Sequence, residues 1–130
     1  MKSLVVDDDF THRLLLQRFL STTGEVHIAA NGMEAVAAVR LALTEGAGYD
    51  LVCLDIMMPQ LDGHSALEQI RELEEQFHVP SAREAKVVMT TALAEKRHVL
   101  EAFREQADAY LTKPVSRERL LGFVHEWKLG

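Results

Sequence analysis

Leu51-Val52-Cys53-Leu54-Asp55 runs apolar for four residues and then stops on a carboxylate. A strand with one wet face alternates apolar and polar side chains. An uninterrupted apolar run this short reads as a strand covered on both faces, the signature of a parallel sheet sandwiched by helices. Leu4-Val5-Val6 repeats the pattern and ends in Asp7-Asp8-Asp9. Working outward, further strands are predicted over 26–29, 86–90 and 109–111. Helices are predicted over 10–22, closed by Gly24, over 33–45, ending at Gly46 and Gly48, and over 65–77, 95–106 and 116–128. Ser116 is a natural cap for the last of these. The segment 78–85, with Pro80, is expected to be a connecting loop. Strand and helix alternate five times, so the expected fold is α/β, a doubly wound five-stranded parallel sheet with right-handed crossovers.

The chain has 130 residues, room for one compact domain, expected to span 1–130. Fourteen basic side chains against twenty acidic ones give a net charge of −6, which argues against direct nucleic-acid binding. The single cysteine, Cys53, excludes an internal disulfide and a thiolate metal cage, and its place in an apolar strand suggests an inert core thiol. No apolar stretch approaches the roughly 20 residues of a membrane span, so a cytoplasmic protein that does not use the membrane is expected. The histidines His12, His27, His64, His78, His98 and His125 are dispersed without metal-ligand spacing, and solvated or packing roles are expected for most of them.

In an open α/β sheet, ligands bind at the carboxyl ends of the strands. The residues predicted there are Asp7-Asp8-Asp9, Asp55, Thr90-Thr91 and Lys113. Gathered carboxylates repel one another unless a cation joins them. Asp7, Asp8 and Asp55 are balanced by Lys113 plus one divalent ion, and an all-oxygen donor set suits Mg²⁺. Such a cluster neutralises an incoming phosphoryl group, and a carboxylate can itself be the nucleophile. The site therefore reads as phosphoryl transfer onto an aspartate.

At this point the chain resembles the receiver domains of two-component response regulators, of the chemotaxis-type single-domain kind. The resemblance covers essentially all 130 residues and rests on Val5-Val6-Asp7-Asp8, Leu54-Asp55-Ile56-Met57-Met58-Pro59 with Asp62-Gly63, Thr91-Ala92, and Tyr110-Leu111-Thr112-Lys113-Pro114. Each motif is weak alone; in order, at successive strand ends, they are specific. The resemblance implies a flavodoxin-like (βα)5 sheet of order 2-1-3-4-5. It implies that Asp55 takes the phosphoryl group from a phosphohistidine on a sensor histidine kinase or histidine phosphotransfer protein. Asp8, Asp55 and the Met57 backbone carbonyl would bind Mg²⁺, with Asp7 assisting through water. Thr91 and Lys113 would hold phosphoryl oxygens, Tyr110 would swing inward as Thr91 moves, and Lys113-Pro114 would be cis. The family is a phosphoacceptor that assists its own phosphorylation and slow autodephosphorylation, not a conventional enzyme. Phosphorylation would bias the face formed by the 95–106 helix, the fifth strand and the last helix towards a downstream protein target.

Positions that tune hydrolysis of the acyl phosphate in the family are Met57 and Leu93 here, both apolar, which implies a long-lived phosphorylated state. Thr91 is favoured over Thr90 because small Ala92 follows it, and Thr90 is expected to face packed structure. Asp9 is expected at the start of the first helix, where anions are favoured. The triplet Leu14-Leu15-Leu16 spans about 200° of a helix, so Leu14 or Leu15 is expected either to be exposed beside the acidic site, where the family docks a partner's helix bundle, or equally to lie under the neighbouring helix. Tyr49 is expected to pack at a strand start, and Arg117 and Arg119 to lie on a solvated face.

Other chemistries fit less well. A haloacid-dehalogenase-like phosphatase needs an acid two residues after its nucleophile, where Met57 stands. Asp7-Asp8-Asp9 would repel the phosphate of a flavodoxin's cofactor, and no P-loop motif occurs. The remaining alternative is a receiver-fold adaptor that works by constitutive contacts and is never phosphorylated; the intact set Asp7, Asp8, Asp55, Thr91 and Lys113 weighs against it.

Overall fold

The structure, a computed structural model, describes residues 1–92 and 107–129. The elements are β1 (Lys2–Val6), α1 (Phe10–Leu20), β2 (Glu25–Ala29), α2 (Gly32–Thr44), β3 (Leu51–Asp55), α3 (Gly63–Gln76), a short 3-10 turn (Ser81–Arg83), β4 (Lys86–Thr91), β5 (Ala109–Thr112) and α4 (Arg117–Glu126). The helix expected over 95–106, with Leu93 and His98, lies outside the described residues.

All strand pairings are parallel, and the sheet runs β2-β1-β3-β4-β5. The period of two in each strand divides its apolar residues between two cores. Leu4, Val6, Val52, Leu54, Val87 and Met89 face α2 and α3. Val5, Cys53, Val88 and Leu111 face the other way, against Leu16 and Leu20 of α1 and Leu120 and Val124 of α4. With helices on both faces, each central strand needs apolar side chains at every position, which is why β3 shows no alternation. The edge strand β2 is only partly buried.

Each described α-helix begins on a side-chain cap. The Asp9 carboxylate accepts from the Thr11 and His12 amides, Asn31 from Glu34, Asp62 from Ser65, and Ser116 from Arg119. These bonds satisfy amides that have no partner inside the helix. Asp9 and Ser116 thus take their expected places. The connection after α3 is held by a partly buried polar network: Arg71 reaches Glu74 at 2.7 Å, the Ala85 carbonyl at 2.9 Å and Asp108 at 3.2 Å.

The helix 1 expectation needs correction. Leu14 and Leu15 are both half-buried, whereas Phe10 is 66% exposed. Of the leucine triplet Leu16 enters the core with Leu20, and the first turn of the helix carries the exposed apolar group instead.

Candidate functional site

The order of the strands reverses at β1: the chain leaves it for β2 on one side and returns to β3 on the other. Asp7, Asp8 and Asp55 sit at the mouth of that crevice. Each offers a carboxylate oxygen, and these oxygens lie within 4.8 Å of one another. Asp7 and Asp55 are buried, while Asp8 is exposed.

Lys113 arrives from the end of β5, where its amide donates to the Thr91 carbonyl at 2.7 Å. Its peptide bond to Pro114 is cis. The ammonium donates to Asp55 Oδ2 at 3.0 Å and lies 3.4 Å from Asp7 Oδ2. The other oxygen of Asp55 accepts from the Met57 amide at 3.3 Å. Asp7 Oδ1 accepts from the Asp9 amide at 2.9 Å. Gly63 closes the back of this loop: a Cβ there would lie 2.4 Å from the Asp55 carbonyl oxygen and 2.8 Å from the Ile56 Cα. Only a residue without a side chain permits that approach.

The electrostatics follow from burial and charge. Burial pushes the Asp55 carboxyl up, the neighbouring Asp7 charge adds to it, and together they outweigh Lys113, leaving it at about 6. Burial acts on Asp7 in the same sense. There the hydrogen bond from His12, the Asp9 amide and the charge on Lys113 prevail, and Asp7 stays below the ordinary carboxylate range. Lys113 loses by burial and gains more from Asp55 and Asp7, so it is held above its usual value. An all-oxygen set crowded enough to raise one carboxyl to about 6 fits a hard divalent cation.

Thr91 is fully buried at the end of β4, and its hydroxyl donates to the Ala92 carbonyl at 3.2 Å. Thr90 faces packed structure as expected, its buried hydroxyl having no hydrogen-bond partner among the described residues. Tyr110 is 36% exposed on β5 and Met57 is 50% exposed beside Asp55. Cys53 is buried and free, its thiol pushed up to about 12 by burial. Tyr49 is buried and hydrogen-bonded to His27 at 2.7 Å, while Arg117 and Arg119 are exposed. The structure thus brings Asp7, Asp8, Asp55 and Lys113 together, with Thr91 and Met57 on the adjoining strand end and loop.

One site neighbour escaped the histidine spacing search. The His12 ring is hydrogen-bonded through Nδ1 to Asp7 Oδ2. Arg13, next in sequence, donates to the Asp7 carbonyl at 2.7 Å. The available signal was position: both residues lie in the first turn of the helix that follows an acidic strand end.

A sequence model of the family described as response regulator receiver domain matches residues 3–125. The chain belongs to this family. Among similar proteins, hybrid signal transduction histidine kinase L of Dictyostelium discoideum is 32% identical over 127 residues, 97% of this chain and 7% of that protein. Sensor protein GacS of Pseudomonas syringae is 35% identical over 124 residues, 95% of this chain and 13% of that protein. The chain therefore spans a small part of these relatives' length. Two solved receiver structures share its fold. One is from the co-crystal structure of the Saccharomyces cerevisiae histidine phosphotransfer signaling protein Ypd1 with the receiver domain of Ssk1. It has a TM-score of 0.81 and 29% identity, covering 98% of this chain and 88% of that one. The other is from the CheX-CheY-BeF3-Mg complex of Borrelia burgdorferi, with a TM-score of 0.81 and 26% identity, covering 100% of this chain and 90% of that one. The receiver domain is a component of two-component phosphorelay signalling, a phosphoacceptor module rather than a conventional enzyme. Among its described residues, no helix is long and apolar enough to cross a membrane.

Proposed function

We propose that this receiver domain, taking up residues 1–130, accepts a phosphoryl group on Asp55 from a phosphohistidine and uses it to switch protein contacts. The observation that carries the reading is the placement of Asp55: buried, beside two further carboxylates, and bonded to Lys113 at 3.0 Å. A surface aspartate has no need of such a setting; a nucleophile awaiting an anionic group does.

With its proton near pH 6, Asp55 is ionised at neutral pH and more so once a cation joins the cluster. A carboxylate oxygen of Asp55 attacks phosphorus, the P–O bond forms as the donor's P–N bond breaks, and the released imidazole takes up a proton. Asp8, Asp55 and the Met57 carbonyl are the groups that would hold Mg²⁺, with Asp7 acting through water. When bound, Mg²⁺ supplies neutralisation of the phosphoryl charge. Lys113 is placed to hold one phosphoryl oxygen and Thr91, after its hydroxyl leaves the Ala92 carbonyl, another. That movement would draw Tyr110 inward and shift the β5–α4 face between two populations. Met57 and Leu93 have no polar group to orient an attacking water, so autodephosphorylation would be slow.

The donor is a sensor histidine kinase or a histidine phosphotransfer protein, a reading supported by the Ypd1 complex of a similar receiver and by the histidine kinases among the relatives. The recipient of the signal is a downstream protein in the cytoplasm. The net charge of −6 speaks against direct nucleic-acid binding. The test is intact-mass spectrometry after incubation with Mg²⁺ and acetyl phosphate. A single phosphate on the wild type, absent with EDTA and absent from Asp55→Asn, is expected. The same adduct on Asp55→Asn would remove Asp55 from its role.

A further inference from the structure

The His12 ring is nearly buried, with a side chain 10% exposed, and is hydrogen-bonded to Asp7 Oδ2; Nε2 is buried with no hydrogen-bond partner among the described residues. A histidine serving only to fill space would be better replaced by an apolar side chain, because its second nitrogen is desolvated without compensation. Asp7 is an acceptor on both oxygens: the Asp9 amide holds Oδ1, and His12 holds Oδ2. Since an ionised carboxylate only accepts, the ring nitrogen is the donor. Arg13 fixes the backbone of the same residue through the Asp7 carbonyl.

Lys113 also faces Asp7 Oδ2, at 3.4 Å, but its shorter bond of 3.0 Å is to Asp55. A lysine recruited to a phosphoryl oxygen must loosen its hold on Asp7. The side chain that then keeps Asp7 oriented comes from α1, not from β5. We infer that His12 is a positioning residue: by fixing Oδ2 it aims the Asp7 carboxylate for the divalent cation, independently of Lys113. This rests on the reading of Asp7, Asp8 and Asp55 as the Mg²⁺ site.

The experiment is a calorimetric Mg²⁺ titration of wild type, His12→Leu and His12→Asn, with the metal-free thermal midpoint of each measured alongside. Leucine keeps the volume and removes the donor. Asparagine places an amide nitrogen close to where Nδ1 lies. Loss of a partner that orients a metal-binding group commonly costs 10–100-fold in affinity. About a tenfold weaker Kd is expected for His12→Leu, with the wild-type value regained in His12→Asn whatever the midpoints do. Unchanged or tighter binding by His12→Leu overturns the inference while leaving the metal site intact. Absence of Mg²⁺ binding by the wild type overturns the site reading and the inference together. If the leucine variant does not fold, the wild type decides alone: the hydrogen-bonded His12 Nδ1 proton must persist in its NMR spectrum at saturating Mg²⁺, and its disappearance on binding overturns the inference.

Discussion

Ionising Asp55 in the metal-free protein means placing a charge in a buried position next to Asp7, and Lys113 compensates only in part. The consequence for stability has a definite sign. An unfolded aspartate titrates near 3.8, while the folded one titrates at about 6. Below the lower value both states are protonated and nothing is lost. Between the two the folded state binds more protons, so stability falls as pH rises, and the loss is complete above about 6. At 1.36 kcal/mol per unit this is at most about 3 kcal/mol. Asp55→Asn should therefore be more stable than the wild type at pH 8 without metal, by about 1–3 kcal/mol. The gain should shrink towards pH 4, and urea unfolding at several pH values measures it. A wild type as stable as Asp55→Asn across the range would mean that Asp55 is not strained by its setting. For the neighbouring Met57 the prediction concerns a rate instead. Its exposed apolar side chain cannot position water, so Met57→Asn should shorten the life of the acyl phosphate several-fold, read from the decay of radiolabelled phosphoprotein.

At the scale of the elements, what places Asp55 is the fit between the β3 end and the start of α3. Gly63 lets the helix press its first turn against the Asp55 and Ile56 backbone, and its amide donates to the Ile56 carbonyl at 2.9 Å. Gly63→Ala should displace this loop and destabilise the fold by about 2–3 kcal/mol, a steric cost typical of overpacking. Phosphorylation by acetyl phosphate should slow in parallel; an unchanged rate and midpoint would show that the loop tolerates the extra carbon. Much of this level was legible from residues. The apolar runs at 4–6, 51–54 and 87–89 mark strands because both faces of each are covered, and Asp9 and Ser116 mark helix starts because orphan amides require acceptors. What could not be read was orientation. Counting leucines on a wheel does not say how α1 rolls against the sheet, so the exposed group is Phe10 and not Leu14 or Leu15. Spacing rules for histidines miss His12 for the same reason: its partner lies in the preceding loop. The bond from Arg71 to Asp108 spans 37 residues, beyond any local signal.

For the molecule as a whole, among the described residues, two apolar cores hold one sheet, and Asp7, Asp8, Asp55 and Lys113 gather at the carboxyl ends of its strands. Such a cluster is stabilised by anything that neutralises it. Mg²⁺ at about a hundred times its Kd should add about 2.7 kcal/mol to the unfolding free energy by mass action. Asp8→Asn should lose most of that gain, because it deletes a carboxylate that is exposed and carries little packing. Equal Mg²⁺ stabilisation of the two proteins in thermal unfolding would place the cation elsewhere. The family was legible from the succession of the strand-end residues Asp7, Asp55, Thr91 and Lys113, and the sheet order came with that resemblance, which the observed pairing β2-β1-β3-β4-β5 bears out. The switching role lies beyond this, since one arrangement of Thr91 and Tyr110 does not contain the second. The central claim is transfer of a phosphoryl group from histidine to Asp55. Its most direct test incubates the protein with Mg²⁺ and a labelled, phosphorylated histidine phosphotransfer protein, reduces the product with borohydride, and maps the peptides. Loss of label from the donor together with homoserine at position 55 is the predicted result. An unmodified Asp55 with the label elsewhere, or retained by every competent donor tried, would contradict it and favour an adaptor that works without phosphorylation.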